Sequence, residues 1–214
     1  MGRTNRNRGS WAGMALAVWF AGCGSSSEGV PPSTAAPSRV FVGVVEGTDV
    51  RVGIVATTHH ARVFFCGGDV SYATLTHWIP SAFLDPAGGA LSQGDDAAGW
   101  SVDGKLDDGG ATGTVVAGAA GTFSFHAAPV SAGTIAGLYE GAEPCGKVGL
   151  IVTQNGATDE PAGQGACVPT AIGGMASNEQ VNPIRPLARA ADGTIPVTVA
   201  GAMALVRAAA APVE

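Results

Sequence analysis

RVFVGVVE (39–46), GT (47–48) and DVRVGIVA (49–56) decide the fold. Two Val-rich runs flank a two-residue linker that begins with glycine. That is the signature of a β-hairpin closed by a type II′ turn. β-branched residues fit a pleated surface and lose rotamer freedom in a helix, so the stretch favours strands.

The same grammar continues downstream. Thr57-Thr58-His59-His60 turns the chain into Arg62–Cys66, and Gly67-Gly68-Asp69 turns it again. Ser71–Ile79, with Tyr72, Leu75 and Trp78, supplies a fourth strand of a meander. Pro80 to Ala98 holds prolines, glycines and Asp95-Asp96, and reads as a long surface loop. Trp100, Val102 and Leu106 then alternate with Ser101, Asp103 and Lys105, which gives one apolar and one wet face. Asp107-Asp108-Gly109-Gly110 marks a turn. Ala111–Ala117, Thr122–His126 and Thr134–Tyr139 extend the meander, with Phe123 and Phe125 on one face and Thr122, Ser124 and His126 on the other.

Lys147–Thr153 is a further strand, Asn155-Gly156 a turn, and Gln164–Thr170 a return strand. A fold-back centred on Gly156 sets Cys145 across from Cys167, close enough for a disulfide. Cys66 follows Phe64-Phe65 and reads as a small buried residue, although pairings of Cys66 with either partner stay open. Residues 173–186 read as irregular. Asp192-Gly193 introduces Thr194–Val199 and then Met203–Val206, the latter with a short helix over 203–211 as an alternative. The expected class is all-β: roughly nine to eleven strands in an antiparallel meander, closed as a small barrel or folded as a sandwich. Little helix is expected outside the leader. One β domain spans 39–208, and 209–214 is a frayed tail.

Upstream of Arg39 the grammar changes. Residues 23–38 are rich in Ser and Pro and read as an extended tether. Before them, Arg3, Arg6 and Arg8 precede an apolar stretch from Trp11 to Gly22 that is 12 residues long. A spanning helix needs ~20 residues, whereas a basic start and a short apolar run make an export signal. Phe20-Ala21-Gly22-Cys23 resembles the lipobox of bacterial lipoproteins, with Phe20 where Leu is usual. The resemblance implies removal of residues 1–22, lipidation of Cys23 with palmitate-type acyl chains, and anchoring in the cell envelope. With Gly24 after the cysteine, the outer membrane is the expected address in a Gram-negative source. Two or three acyl chains hold firmly, because each buried methylene contributes ~0.8 kcal/mol.

The chain carries 11 basic and 17 acidic residues, a formal charge of −6. All three arginines of the leader leave with it, so the exported form is more acidic still. A phosphate backbone would repel it, which disfavours nucleic acid as a partner. Export puts the cysteines in an oxidising compartment.

No chemical motif stands out. His59 and His60 lack partners at metal spacing. Gly99-Trp100-Ser101-Val102-Asp103 lacks the second glycine of a nucleophile elbow. Asp95, Asp96, Asp103, Asp107 and Asp108 fit no calcium loop. No catalytic residue, metal-ligand set or cofactor is therefore assigned. Trp78, Trp100 and His126 are the candidates for a face that binds a small apolar ligand, with His77 beside them.

FVGVVEGTD (41–49), FFCGGD (64–69) and AGLY (136–139) together resemble a group of exported bacterial lipoproteins without assigned activity. That likeness implies export, lipidation and an all-β domain, and no site residues. Two functions follow as expectations. The first is a membrane-anchored binding or structural module of the envelope. The alternative is a hydrolase-like envelope enzyme built from His77, His126 and loop carboxylates.

Overall fold

The computed structural model describes residues 38–170 and 177–212. The leader and the tether through Pro37, Cys23 included, lie outside those residues. Within them the chain is all-β and antiparallel, as expected, and it closes on itself twice. Barrel 1 runs β1 (Arg39–Val45), β2 (Arg51–Ala56), β3 (His60–Cys66), β4 (His77–Leu84), β5 (Ala90–Gln93), β6 (Trp100–Asp107), β7 (Gly110–Ala117) and β8 (Thr122–Pro129), with β8 paired to β1. Barrel 2 runs β9 (Gly137–Glu143), β10 (Gly146–Thr153), β11 (Ala162–Val168), β12 (Glu179–Pro183), β13 (Ile195–Val199) and β14 (Ala202–Ala208), closed by β14 on β9. Every strand pairs with its chain neighbour, so both are meanders. One 3-10 turn, Gly118–Ala120, is the helical content of the described residues.

Barrel 1 has a core of its own around Phe41, Ile54, Phe65, Leu91, Leu106 and Phe125. Barrel 2 has another around Tyr139, Leu150, Ile195 and Val206. A third apolar layer lies between them. Val55, Phe64, Cys66 and Trp78 from barrel 1 meet Leu138, Ile151 and Ala166 from barrel 2. Strands β2, β3 and β10 are thus buried on both faces, which is why VGIVA (52–56), VFFC (63–66) and VGLIV (148–152) lack the polar alternation of an outer strand.

Two glycines set the spacing of this layer. A Cβ on Gly149 would lie 2.4 Å from the Phe64 ring. A Cβ on Gly53 would lie 3.1 Å from Ile151 and 3.2 Å from Leu138. Phe64 fills the space over Gly149 and stacks on Trp78 with ring centroids 4.4 Å apart. An ionic clasp flanks the stack. Arg62 donates to both carboxylate oxygens of Glu140, at 2.8 and 3.0 Å. Lys147 reaches the same carboxylate at 2.8 Å and lies 3.9 Å over the Trp78 ring.

Several local expectations are corrected. The first hairpin does not use Gly47-Thr48 as a two-residue loop. Its turn is closed by Thr48 N–H donating to the Val45 carbonyl, with Gly47 inside it at φ 71°. The predicted strand 71–79 is mostly turn, and strand β4 continues through the expected loop to Leu84. Pro80 is tolerated because the β3–β4 register slips opposite it, between Ala61 and Val63, where no ladder bond is demanded. Residues 90–93 add β5, and 179–183 add β12, a short polar strand whose one buried residue is Val181.

The Cys145–Cys167 disulfide is present, with Cα atoms 6.2 Å apart. The expected register was nevertheless offset. Cys167 pairs with Val148, and Cys145 sits before β10 and reaches diagonally across. The β10–β11 connection is a wide loop over 154–161, not a tight turn at Asn155-Gly156. Cys66 is a buried free thiol, and burial pushes it up to about 12.

Two outcomes follow. Phe64→Ala should destabilise the chain by about 3–5 kcal/mol in chemical denaturation, whereas Gly149→Ala should destabilise it by overpacking and lose part of that effect in combination with Phe64→Leu. Replacing Cys145 and Cys167 together by Ala should cost about 3 kcal/mol, while peptide mapping of the parent chain should find Cys66 unalkylated until the protein unfolds.

Candidate functional site

The three residues expected to form an apolar face do not meet. Adjacent residues on a strand point to opposite sides, so β4 sends its two aromatic rings apart. Trp78 enters the layer between the barrels, and its indole N–H is buried there without an acceptor among the described residues. His77 turns the other way and stacks on Trp100 at 4.7 Å, at the mouth of barrel 1. Trp100 belongs to the core of barrel 1, packed near Phe65. His126 stands exposed on the outer face of β8, 3.7 Å from Glu46.

His77 has a carboxylate partner that spacing along the chain does not reveal. Its Nε2 lies 2.5 Å from Asp96 Oδ2. Asp96 Oδ1 accepts the backbone N–H groups of Ala98 and Trp100, at 2.8 and 3.0 Å. Burial raises the Asp96 carboxyl, but the Trp100 and Ala98 amides and His77 outweigh it, and the net direction is down. The pair pins the β5–β6 loop beneath Trp100. His60 Nδ1 lies 3.4 Å from Ser81 Oγ in an exposed setting. Among the described residues no group of three His, Cys, Asp or Glu could hold a metal ion.

The interior of barrel 1 is filled. The void among Val45, Phe65, Leu75, Trp100 and Phe123 measures about 10 Å³, the space of one water at most. Larger spaces lie on the surface. One of about 560 Å³ sits at the end of barrel 1 where β1 begins, between the Arg39–Asp108 and Lys105–Asp107 ion pairs. Another, about 650 Å³, runs beside the β9–β10 hairpin and includes Glu140 and Lys147.

A third cleft, about 410 Å³, lies on the seam and takes walls from both barrels. Barrel 1 contributes Asp49 and the loop Gly67–Val70, and barrel 2 contributes Gly163–Gly165 and Gln180–Pro183. Gln164 Nε2 donates to the carbonyls of Asp49, at 3.0 Å, and Cys66, at 2.5 Å. Asp49 Oδ2 accepts the Val70 N–H at 2.8 Å. A Cβ at Gly68 would lie 2.7 Å from Asp49 Oδ2 and 3.0 Å from the Asp49 carbonyl, so a larger residue there would push this carboxylate aside. Burial raises the Asp49 carboxyl, but hydrogen bonds from Ser71, Val70 and nearby amides outweigh it and hold it below the usual carboxylate range. Across the mouth, Gln180 Nε2 donates to Asp69 Oδ1 at 3.4 Å. The sequence marked Gly67-Gly68-Asp69 only as a turn. The cleft was not legible because its walls come from segments about a hundred residues apart in the chain.

No family model, curated protein or solved structure matches the chain.

Glu140 ties the two barrels and the C-terminal segment together, because its Oε1 also accepts the Ala210 N–H at 2.9 Å. Burial raises its carboxyl, but Lys147, Ala210 and Arg62 bring it below the usual value. A carboxyl lowered by folding contributes stability above its unfolded pKa, and that contribution is lost as pH falls through the folded one. Stability measured by denaturation should therefore decline through the acid range, and Glu140→Gln should be less stable at neutral pH with a shallower acid limb.

Proposed function

We propose that this chain is a lipid-anchored module of the bacterial cell envelope that works through its surface. The leader and the Cys23 motif supply the anchoring half of this reading, with the membrane as partner. The observation that carries it is the Cys145–Cys167 disulfide, which suits an oxidising compartment outside the cytoplasm. The acidic charge argues against nucleic acid. The packed interior of barrel 1 favours binding or structural work on the outer surface over carrying an apolar ligand inside.

A second reading, a hydrolase-like envelope enzyme, draws on the His77–Asp96 pair. A carboxylate that orients an imidazole is one part of a nucleophilic site. Asp96 also holds two loop amides, which accounts for the pair as a structural pin and favours the first reading.

Intact mass and membrane fractionation of the wild type and Cys23→Ala test the anchoring. The wild type should gain the mass of its acyl chains, lose residues 1–22 and pellet with membranes, and the variant should stay unacylated and leave the membrane fraction. An unmodified, soluble wild type would overturn the reading.

A further inference from the structure

The β13–β14 hairpin breaks a pattern that other outer strands keep. On β6 and β7 the outward residues are polar, Ser101, Asp103 and Lys105 beside Thr112 and Thr114. Between Asp192 and Arg207, by contrast, no residue is charged. The hairpin buries Ile195, Val197, Val199, Ala204 and Val206, and its other face sets Pro196 opposite Leu205 and Thr198 opposite Met203. Met203 is 72% exposed and Leu205 51%, two apolar neighbours on one strand face. The tip is apolar as well. Ala200 and Gly201 make a two-residue turn with φ 50° and 81°. Asn, Asp or Gly is the usual first residue of such a turn, so alanine keeps the tip apolar at a cost in backbone strain. In the six-strand ring β13 stands opposite β10, the strand at the seam. The hairpin therefore looks away from barrel 1, and it is uncovered among the described residues.

We propose that the outer face and tip of this hairpin rest on the surface of a zwitterionic lipid bilayer. The inference rests on the anchoring of the chain at Cys23 and adds which face of the domain meets that membrane. Area argues for lipid over a second copy of the chain. A stable dimer buries roughly 800 Å² on each partner, and two large exposed side chains with a few small ones fall well short of that. A tethered face needs far less, because tethering holds it beside its target at millimolar effective concentration.

The tether also reaches. Gly137 lies beside the start of β1, and a Cβ there would stand 3.9 Å from Val40. β14 runs antiparallel to β9 with Ala208 opposite Tyr139, so the hairpin tip is about 25 Å from that end. Residues 23–38 span about 50 Å when extended. An uncharged face strips no ion of its water at the headgroups, and the acidic charge of the chain disfavours anionic lipid.

The test ties the full chain through residue 23 to phosphatidylcholine vesicles with brominated acyl chains. Its own acyl groups serve as the link or, where intact mass shows a free thiol, a maleimide lipid does. Met203→Trp and Leu205→Trp report on the hairpin, and Thr114→Trp reports on the outer face of β7. Bromine quenching in excess of the parent chain should be about twofold greater or more at 203 and 205 than at 114. Adding Leu205→Glu to Met203→Trp should cut that excess by about half or more. Equal quenching at 203, 205 and 114, or no effect of Leu205→Glu, would overturn the proposal. So would a concentration-dependent dimer in sedimentation that Leu205→Glu abolishes, which assigns the face to a second copy. Anchoring is read separately: an unacylated chain with the excess quenching intact removes the native anchor alone, and acylation without that excess removes the lipid contact alone.

Discussion

A phenyl ring over a bare backbone holds this molecule together. Phe64 lies where Gly149 has no side chain, and the two barrels approach until that ring, Trp78, Leu138 and Ile151 form one layer. Each barrel closes its own hydrogen-bond ladder, so neither needs the other to complete its sheet. The layer is what makes them one body. Its contribution is hydrophobic, about 1.5–3 kcal/mol for a fully buried side chain of this size, with the Arg62–Glu140–Lys147 clasp along its border.

Much of this was legible from residue order. The alternation of Trp100, Val102 and Leu106 with wet neighbours gave β6 its faces, and Phe125 against Ser124 and His126 did the same for β8. The second closure was not legible in the same way. VFFC and VGLIV mark strands buried twice, but an apolar run does not say what covers its other face. Pro80 misled because a proline inside a strand is normally excluded, and here a bulge in its own strand, with Pro80 and Ser81 opposite Arg62, absorbs it. The Cys145–Cys167 pair was reached from a register that the structure corrects by a wider loop; a diagonal crosslink tolerates such an offset because two cysteine side chains span it.

The polar sites divide along the same line. Residues that punctuate turns, such as Asp96, Asp107 and Asp192, could be placed in loops from sequence, and they hold backbone N–H groups there. Partnerships across the seam could not. Arg62 with Glu140 and Gln164 with Asp49 join segments that no local pattern relates. The choice of Trp78 with Trp100 failed on strand parity, since His77, the neighbour of Trp78, is the residue that accompanies Trp100.

The backbone passes from one barrel to the other once among the described residues, between Pro129 and Gly137. Within each barrel the first and last strands are neighbours, β1 beside β8 and β9 beside β14. The covalent wiring therefore resembles two closed rings joined by a single thread. A nick in that thread would break no ladder, and the halves would be kept in company by their shared apolar seam, as fragments that complement one another are.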